Sequence, residues 1–420
     1  MRQLFVFTVI PKDRMFYKFA FYGFLKNLRL FEPFLYLFFR DAGLSYTEIG
    51  ALIGLREIST TFLEIPTGVY ADIFGRRKSM LMSMSSYMIS FSIFFLFKNF
   101  WLFAVAMILY ALGDAYRTGT HKAMILEYLK MKGILKKKVE YYGATRSYSQ
   151  LGSAVNALLA ALIVFYSGNY RYIFLITILP YILNFINLAT YPKELDGEIT
   201  HHLKKGMMRE QIKSTLRDFV AMFKSKLVLK AIMNSTIFSA SYEATKDYLQ
   251  PVLKTLALSL PIFLFLSGKQ RTAVVIGVVY FILYLLTSYS SRNAYKIVNR
   301  IGNLGRAINL TLLLAGIFLI FTGIFYHINL LLLSVIIFVL LYVFHNIRRP
   351  MNVGYISDQI KSRVMASGLS VESQVKTILA SIFAVLMGFF ADYFGIGIAL
   401  ALLGVMILII SPPFFVEEKD

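Results

Sequence analysis

The sequence predicts an all-α polytopic membrane protein, with twelve transmembrane helices arranged as two pseudo-symmetric six-helix bundles. Three observations lead there: an apolar composition, long apolar runs at regular intervals, and ionisable residues within those runs that avoid every third one. Of 420 residues, 57% are hydrophobic and 16% charged, and 38 are Phe and 27 Tyr. An ordinary soluble domain carries about 25% charged residues. With a mean hydropathy of +0.63, there is too little polar surface to cover a water-soluble globule, so lipid solvates much of the chain.

Taken in order, Arg2 and the run Leu4 to Ile10 imitate a signal peptide. The run is short, ends in Pro11-Lys12-Asp13-Arg14 and lacks a small-residue cleavage site, so it reads as an interfacial cytoplasmic segment. A membrane helix needs roughly 20 mostly apolar residues. Such spans fall at 17–39, 47–70, 79–98, 101–125, 143–166, 172–191, 228–252, 272–291, 304–325, 329–349, 366–391 and 394–416. Residues 253–271, with Pro261, are open between an extension of the seventh helix and an extracellular loop.

Bases follow the even-numbered spans: Arg76, Arg77 and Lys78, then Lys130 to Lys138, then Arg292, Lys296 and Arg300, then Arg348 to Arg363. The alternate connections are short and nearly free of bases, so both termini are expected in the cytoplasm, and the cytoplasmic membrane is the expected location. A polar stretch, 192–227, whose tail "MMREQIKSTLRDFVAMFKSKL" has helical apolar spacing, joins a first bundle (1–191) to a second (228–420).

The formal charge of +21 would raise nucleic acid in a soluble domain. Here the bases sit in loops with no aromatic-and-basic module beside them, so nucleic acid is not an expected partner. Zero Cys removes disulfides and thiolate chemistry, and five scattered His leave no metal set. No nucleophile elbow, phosphate cradle or pore repeat appears, so neither an enzyme nor a channel is expected, and no cofactor.

Ionisable residues within lipid cost ~2.5 to 3.5 kcal/mol each at the bilayer centre. They are therefore expected to face an aqueous cavity: Lys26, Arg29 and Glu32 on helix 1, Glu57 and Glu64 on helix 2, Asp114, Arg117 and His121 on helix 4, Glu243 and Asp247 on helix 7, and Glu372 on helix 11. Helices 3, 6, 9 and 12 have none in their middles and are expected to face lipid. Helix 8 offers Tyr280, Tyr284, Thr287 and Ser288. The bland alternative is that Lys26 with Glu32, Asp114 with Arg117, and Glu372 with Lys376 merely neutralise one another. Lys18, Arg146 and Arg349, near span ends, are expected to snorkel. A repeat is also visible, since Ser149-Gln150 and Ser373-Gln374 fall in register in the two halves.

"GVYADIFGRR", Gly68 to Arg77, resembles the G-x-x-x-D-x-x-G-R-R loop signature of the major facilitator superfamily, and falls after the second helix as it does there. Ile73 stands where many members carry a base. The resemblance implies a secondary active transporter moving a small solute by alternating access. It also implies that Gly68, Asp72, Gly75, Arg76 and Arg77 form a conformational latch. Physically, Gly68 permits close helix contact and Gly75 a tight turn. Arg117 with Gly119 is similar to the Arg-and-Gly motif of proton-coupled members. The proton-coupling candidates are Asp114, a carboxyl expected to be buried beside Arg117, and His121. Helix 5 lacks the Gly-Pro ending of drug/proton antiporters. A monomer is expected, with a solute, protons and the bilayer as partners. A non-transporting receptor or scaffold that kept the fold is the alternative. The cations Lys26, Arg29, Arg56, Arg117 and Lys376 invite an anion, while the acids and aromatics suit cationic or amphipathic compounds equally, so the substrate is open.

Overall fold

The computed structural model describes residues 12–197, 226–292, 300, 302–359 and 365–416. The expected interfacial segment at 4–10 and the amphipathic stretch before 226 lie outside the described residues. Within them the protein is helical, with no strand. The first series of helices is α1 (Arg14–Lys26), α2 (Leu35–Asp41), α3 (Tyr46–Phe74), α4 (Arg76–Leu96), α5 (Phe100–Arg117), α6 (Thr120–Met131), α7 (Lys138–Ser167) and α8 (Tyr172–Ala189). The second is α9 (Lys226–Thr245), α10 (Leu249–Ser259), α11 (Gly268–Arg292), α12 (Leu304–His327), α13 (Leu331–Gln359), α14 (Met365–Phe394) and α15 (Ile396–Ile410). Eight helical stretches among the described residues are long and apolar enough to cross a bilayer.

Three expected spans are interrupted. The first breaks after Lys26, turns through a short 3-10 segment at Glu32–Phe34 where Pro33 removes an N–H, and resumes as α2. Backbone groups freed inside a membrane protein need partners from the protein. Tyr181 donates to the Lys26 carbonyl at 3.2 Å, and the Gln250 amide donates to the Glu32 carbonyl at 2.8 Å while accepting from the Tyr36 N–H at 2.8 Å. The seventh expected span breaks at Lys246–Tyr248, where Tyr342 donates to the Lys246 carbonyl at 2.6 Å. It then continues as α10 to Ser259, so much of the stretch left open at 253–271 is helix. The fourth breaks at Thr118 and Gly119, between α5 and α6, where Gly119 takes a φ of +75°.

Helix packing uses small residues and hydroxyls, as expected where apolar surface alone does not drive association. Along α4, Ser79, Ser83 and Ser90 donate to the carbonyls of Tyr116, Gly113 and Ala106 on α5, at 2.9, 2.6 and 2.7 Å. In the second series α12 crosses α15 at paired glycines, Gly316 with Gly404 and Gly323 with Gly397.

The two series meet along two helix pairs. On α3, a Cβ at Gly50 would run into the Ala384 carbonyl of α14, and Gly54 lies against Ser381. On α11, a Cβ at Gly277 would come within 2.5 Å of the Ala161 side chain of α7. Polar contacts close the same end: Lys269 with Asp41 at 3.0 Å, the Gln270 amide donating to the Phe165 carbonyl at 3.3 Å, and Asp392 accepting from Thr47. The opposite, basic end carries Arg76, Arg77, Lys130 and Lys132.

Candidate functional site

Three bays adjoin one another: one between the two series, one in the first series with Arg349 of the second at its edge, and one within the second series. A central bay of about 330 Å³ is lined by Glu32, Arg56, Glu243, Lys246 and Asp247 and by a group of tyrosines that includes Tyr110, Tyr280 and Tyr342. A cationic bay of about 430 Å³ is lined by Lys26, Arg117, His121, Lys122, Arg146 and Arg349. A third, of about 310 Å³, takes Glu243, His345, Arg348, Glu372 and Lys376. Gln150 lines the first and second, Glu243 and His345 the first and third, and Arg349 the second and third, so the bays are separated by shared walls. Their walls draw nothing from α4, α8, α12 or α15. Those helices instead present exposed apolar side chains such as Leu179, Ile186, Phe321 and Ile409. Tyr280, Tyr284 and Thr287 of α11 do face the central bay.

The charges are organised by pairing. The Asp114 carboxylate accepts from the Tyr87 hydroxyl at 2.5 Å and from Arg117 at 2.7 Å, with Arg29 at 3.6 Å. Arg29 turns its other face to Glu32 at 2.9 Å. Spacing groups His121 with Asp114, yet the second cation at Asp114 is Arg29. Arg29 and Arg56 both lie over the Tyr110 ring, 5.8 and 5.9 Å from its centroid. On the other side of the central bay Lys246 meets Glu243 at 2.6 Å.

Several expectations change here. Glu32 pairs with Arg29 and not with Lys26, because the break after Lys26 takes the two off a common helical face. Glu372 accepts from the Ser235 hydroxyl at 2.5 Å rather than meeting Lys376. Glu57 is bound to its neighbour Arg56 at 2.7 Å, Glu64 is exposed, and neither lines the three bays. Arg146 and Arg349, expected to snorkel, form the rim of the cationic bay; Lys18 donates to the Thr190 carbonyl at 2.8 Å.

At the basic end Gly75, with a φ of +94°, turns the chain between α3 and α4. Two residues on, Arg77 donates its backbone N–H to Asp196 at 2.6 Å and its guanidinium to the Tyr191 carbonyl at 3.2 Å, while Arg76 reaches Glu127 at 3.6 Å. The close helix contact expected at Gly68 is not made, since a Cβ there would meet nothing within 4 Å. The tight approaches of α3 fall at Gly50 and Gly54 instead.

The site also exposes a repeat that spacing alone did not reveal. His121 stacks on Tyr22 with ring centroids 3.8 Å apart, and His345 stacks on Tyr242 at the same 3.8 Å. Each tyrosine stands four residues before a lysine, Lys26 or Lys246, where its helix breaks. Ser149 and Ser373, the pair in register, line corresponding bays. Arg348, near the end of the tenth span, is fully buried: it donates to Thr311 at 2.6 Å and to the Asn234 carbonyl at 3.0 Å, and lies over the Phe238 ring.

Apolar helices wrapped around a charged, tyrosine-lined interior define a multi-pass membrane protein. Residues 19–374 match the Major Facilitator Superfamily, and the chain belongs to it; this is a transporter family and not an enzyme family. A curated relative, an uncharacterized MFS-type transporter (YxaM) of Bacillus subtilis (strain 168), is 23% identical over 230 residues. The match spans 55% of this chain and 56% of that relative, about half its length. Among solved structures, the nucleoside transporter NupG is similar with a TM-score of 0.74 at 13% identity, over 96% of this chain and 98% of that one. A POT family transporter in complex with a thioalcohol-conjugated peptide gives 0.70 at 16% identity, over 95% and 94%. At these identities the likeness is one of fold.

Proposed function

We propose that this protein is a secondary active transporter that carries a small solute across the cytoplasmic membrane by alternating access. The single observation that carries this reading is a charged bay between the two series of helices, flanked by a further charged bay on either side, while the close contacts described between the series lie toward one end. The interrupted helices give twelve crossings when α1 with α2, α5 with α6, and α9 with α10 are each counted as one. Two six-helix bundles, 1–191 and 228–420, then follow, linked by 192–227. The positive-inside rule makes the basic end cytoplasmic, with both termini there, so this arrangement is open inward. Breaks in corresponding helices beside the interior favour this placement of the site, because discontinuous helices supply polar backbone where a carrier binds cargo.

Proton coupling belongs to Asp114 in this reading. Its carboxylate holds Arg117 and Arg29 together, so taking up a proton frees both cations toward the interior and biases the two-state equilibrium. The loop from Gly68 to Arg77 would latch the basic end when it closes. Reconstituted protein should therefore move solute in proteoliposomes, faster under an imposed proton gradient, and Asp114→Asn should remove the gradient's effect. Solute binding with no flux under any gradient would instead identify a receptor that retained the fold.

A further inference from the structure

We infer that the cationic bay receives the anionic group of the cargo, a carboxylate or a phosphate, so that the solute is an organic oxyanion whose body reaches the tyrosine-lined central bay. This rests on the transporter reading for its purpose, though the binding chemistry stands on three separate observations.

The first is charge. Lys26, Arg117, Lys122, Arg146 and Arg349 line this bay and no Asp or Glu does; Asp114, just outside the lining, offsets Arg117 and leaves the other four without a carboxylate in the bay. The adjoining bays differ: Glu243 and Glu372 offset the cations of one, and Glu32, Glu243 and Asp247 outnumber Arg56 and Lys246 in the other. Like charges gathered in a partly dehydrated cleft repel one another, and a bound anion relieves that repulsion.

The second is an unmet donor. Arg117 and Arg29 are committed to Asp114 and Glu32. Lys26, on the inner wall, has no side-chain hydrogen bond or ion pair among the described residues. Its ammonium therefore has three donors free for a ligand.

The third is backbone. The first turn of α6 opens into the bay at Gly119, His121 and Lys122 and has no side-chain cap, so its initial N–H groups lack the usual acceptor. A helix start of this kind favours an oxyanion, and here it converges with the lysine and the rim arginines. Gln150 forms the wall shared with the central bay, where Tyr242, Tyr280, Tyr284 and Tyr342 offer flat faces to the body of the solute.

The test uses the purified full chain and the shift of its melting temperature with ligand concentration. Probes are inorganic phosphate, glucose 6-phosphate, succinate and benzoate, with glucose and choline as neutral and cationic controls. At least one of the four oxyanions should stabilise the protein saturably, and comparing the phosphates with the carboxylates identifies the group. Lys26→Gln and Arg146→Gln should each weaken that apparent affinity about tenfold or more, the loss of one charge-assisted hydrogen bond. Lys26→Arg should retain it. Arg146 is exposed, so its variant keeps the test available if the Lys26 variants fold poorly. A response to glucose or choline alone, no response to any oxyanion, or an oxyanion response undiminished in both Gln variants overturns the proposal. Flux separates the two readings: an oxyanion that binds in this bay and is never transported refutes the carrier, whereas transport of a neutral solute untouched by Arg146→Gln refutes the bay alone.

Discussion

The Asp392 carboxylate, near the end of α14, accepts from the Thr47 backbone N–H at 2.8 Å and from the Thr47 hydroxyl at 2.7 Å in the first turn of α3. It also accepts from the Tyr46 N–H at 2.9 Å. One helix thus adds, across the meeting of the two series, to the cap that Ser45 and Glu48 already give the other. Such a charged cap is worth about 1 to 2 kcal/mol. Asp392→Ala is expected to loosen the closed end by that amount. The chain has no Cys, so spin labels placed on either side of this contact report the separation directly. An unchanged distance distribution would show that α3 and α14 hold by packing alone.

Glycine substitutions should separate close approach from idle space. Gly50→Ala and Gly277→Ala each put a methyl group where the partner helix leaves none, the first against the Ala384 carbonyl and the second 2.5 Å from the Ala161 Cβ. Overpacking of this kind costs about 1 to 3 kcal/mol, and the melting temperature should fall in both. Gly68→Ala, with nothing within 4 Å, should leave it nearly unchanged.

Lys269 and Asp41 lie 3.0 Å apart at the closed end. A chain carrying Asp41→Cys and Lys269→Cys should crosslink readily with a short bifunctional reagent. If the proposed cycle is right, the crosslinked protein loses flux in proteoliposomes and recovers it on reduction of a cleavable reagent. Full flux in the crosslinked state would show that this end need not open.

Arg348 is gripped by its fork, with Thr311 on one nitrogen and Asn234 on the other. Lysine keeps the charge but cannot serve both partners at once. Arg348→Lys is therefore expected to destabilise the fold by about 2 kcal/mol, read as a lower melting temperature without ligand.

Much of the helix layout was legible because apolar length and charge placement are local properties. The avoidance of charge on every third span matches helices that contribute nothing to the bays, and Gly75 was readable from its place between two spans. The break after Lys26 was not. Residues 27–31 read as helix, and the carbonyls that flank them, of Lys26 and Glu32, are met by Tyr181 and Gln250, far away in sequence. Only the Ser-Gln part of the repeat was visible, for a related reason. Tyr22 and Lys26 recur 220 residues later, whereas His121, Ser149 and Gln150 recur after 224, so no single offset aligns them all. Arg146 and Arg349 looked like interfacial residues because snorkelling and lining a cleft near its mouth leave the same trace in a sequence.

The two interruptions, after Lys26 and at Lys246, also bear on where the protein yields. An unbroken helix transmits a pull along its whole length, because every turn is stapled to the next. Here α2 and α10 are tied to each other through Gln250, yet each is joined to its own longer helix by a crease with few of those staples. If the proposed cycle opens this end, strain reaching α2 at Asp41 and α10 at Ser259 is expected to bend the creases before it tilts α1 or α9, so that the seal peels away while the walls behind it stay upright.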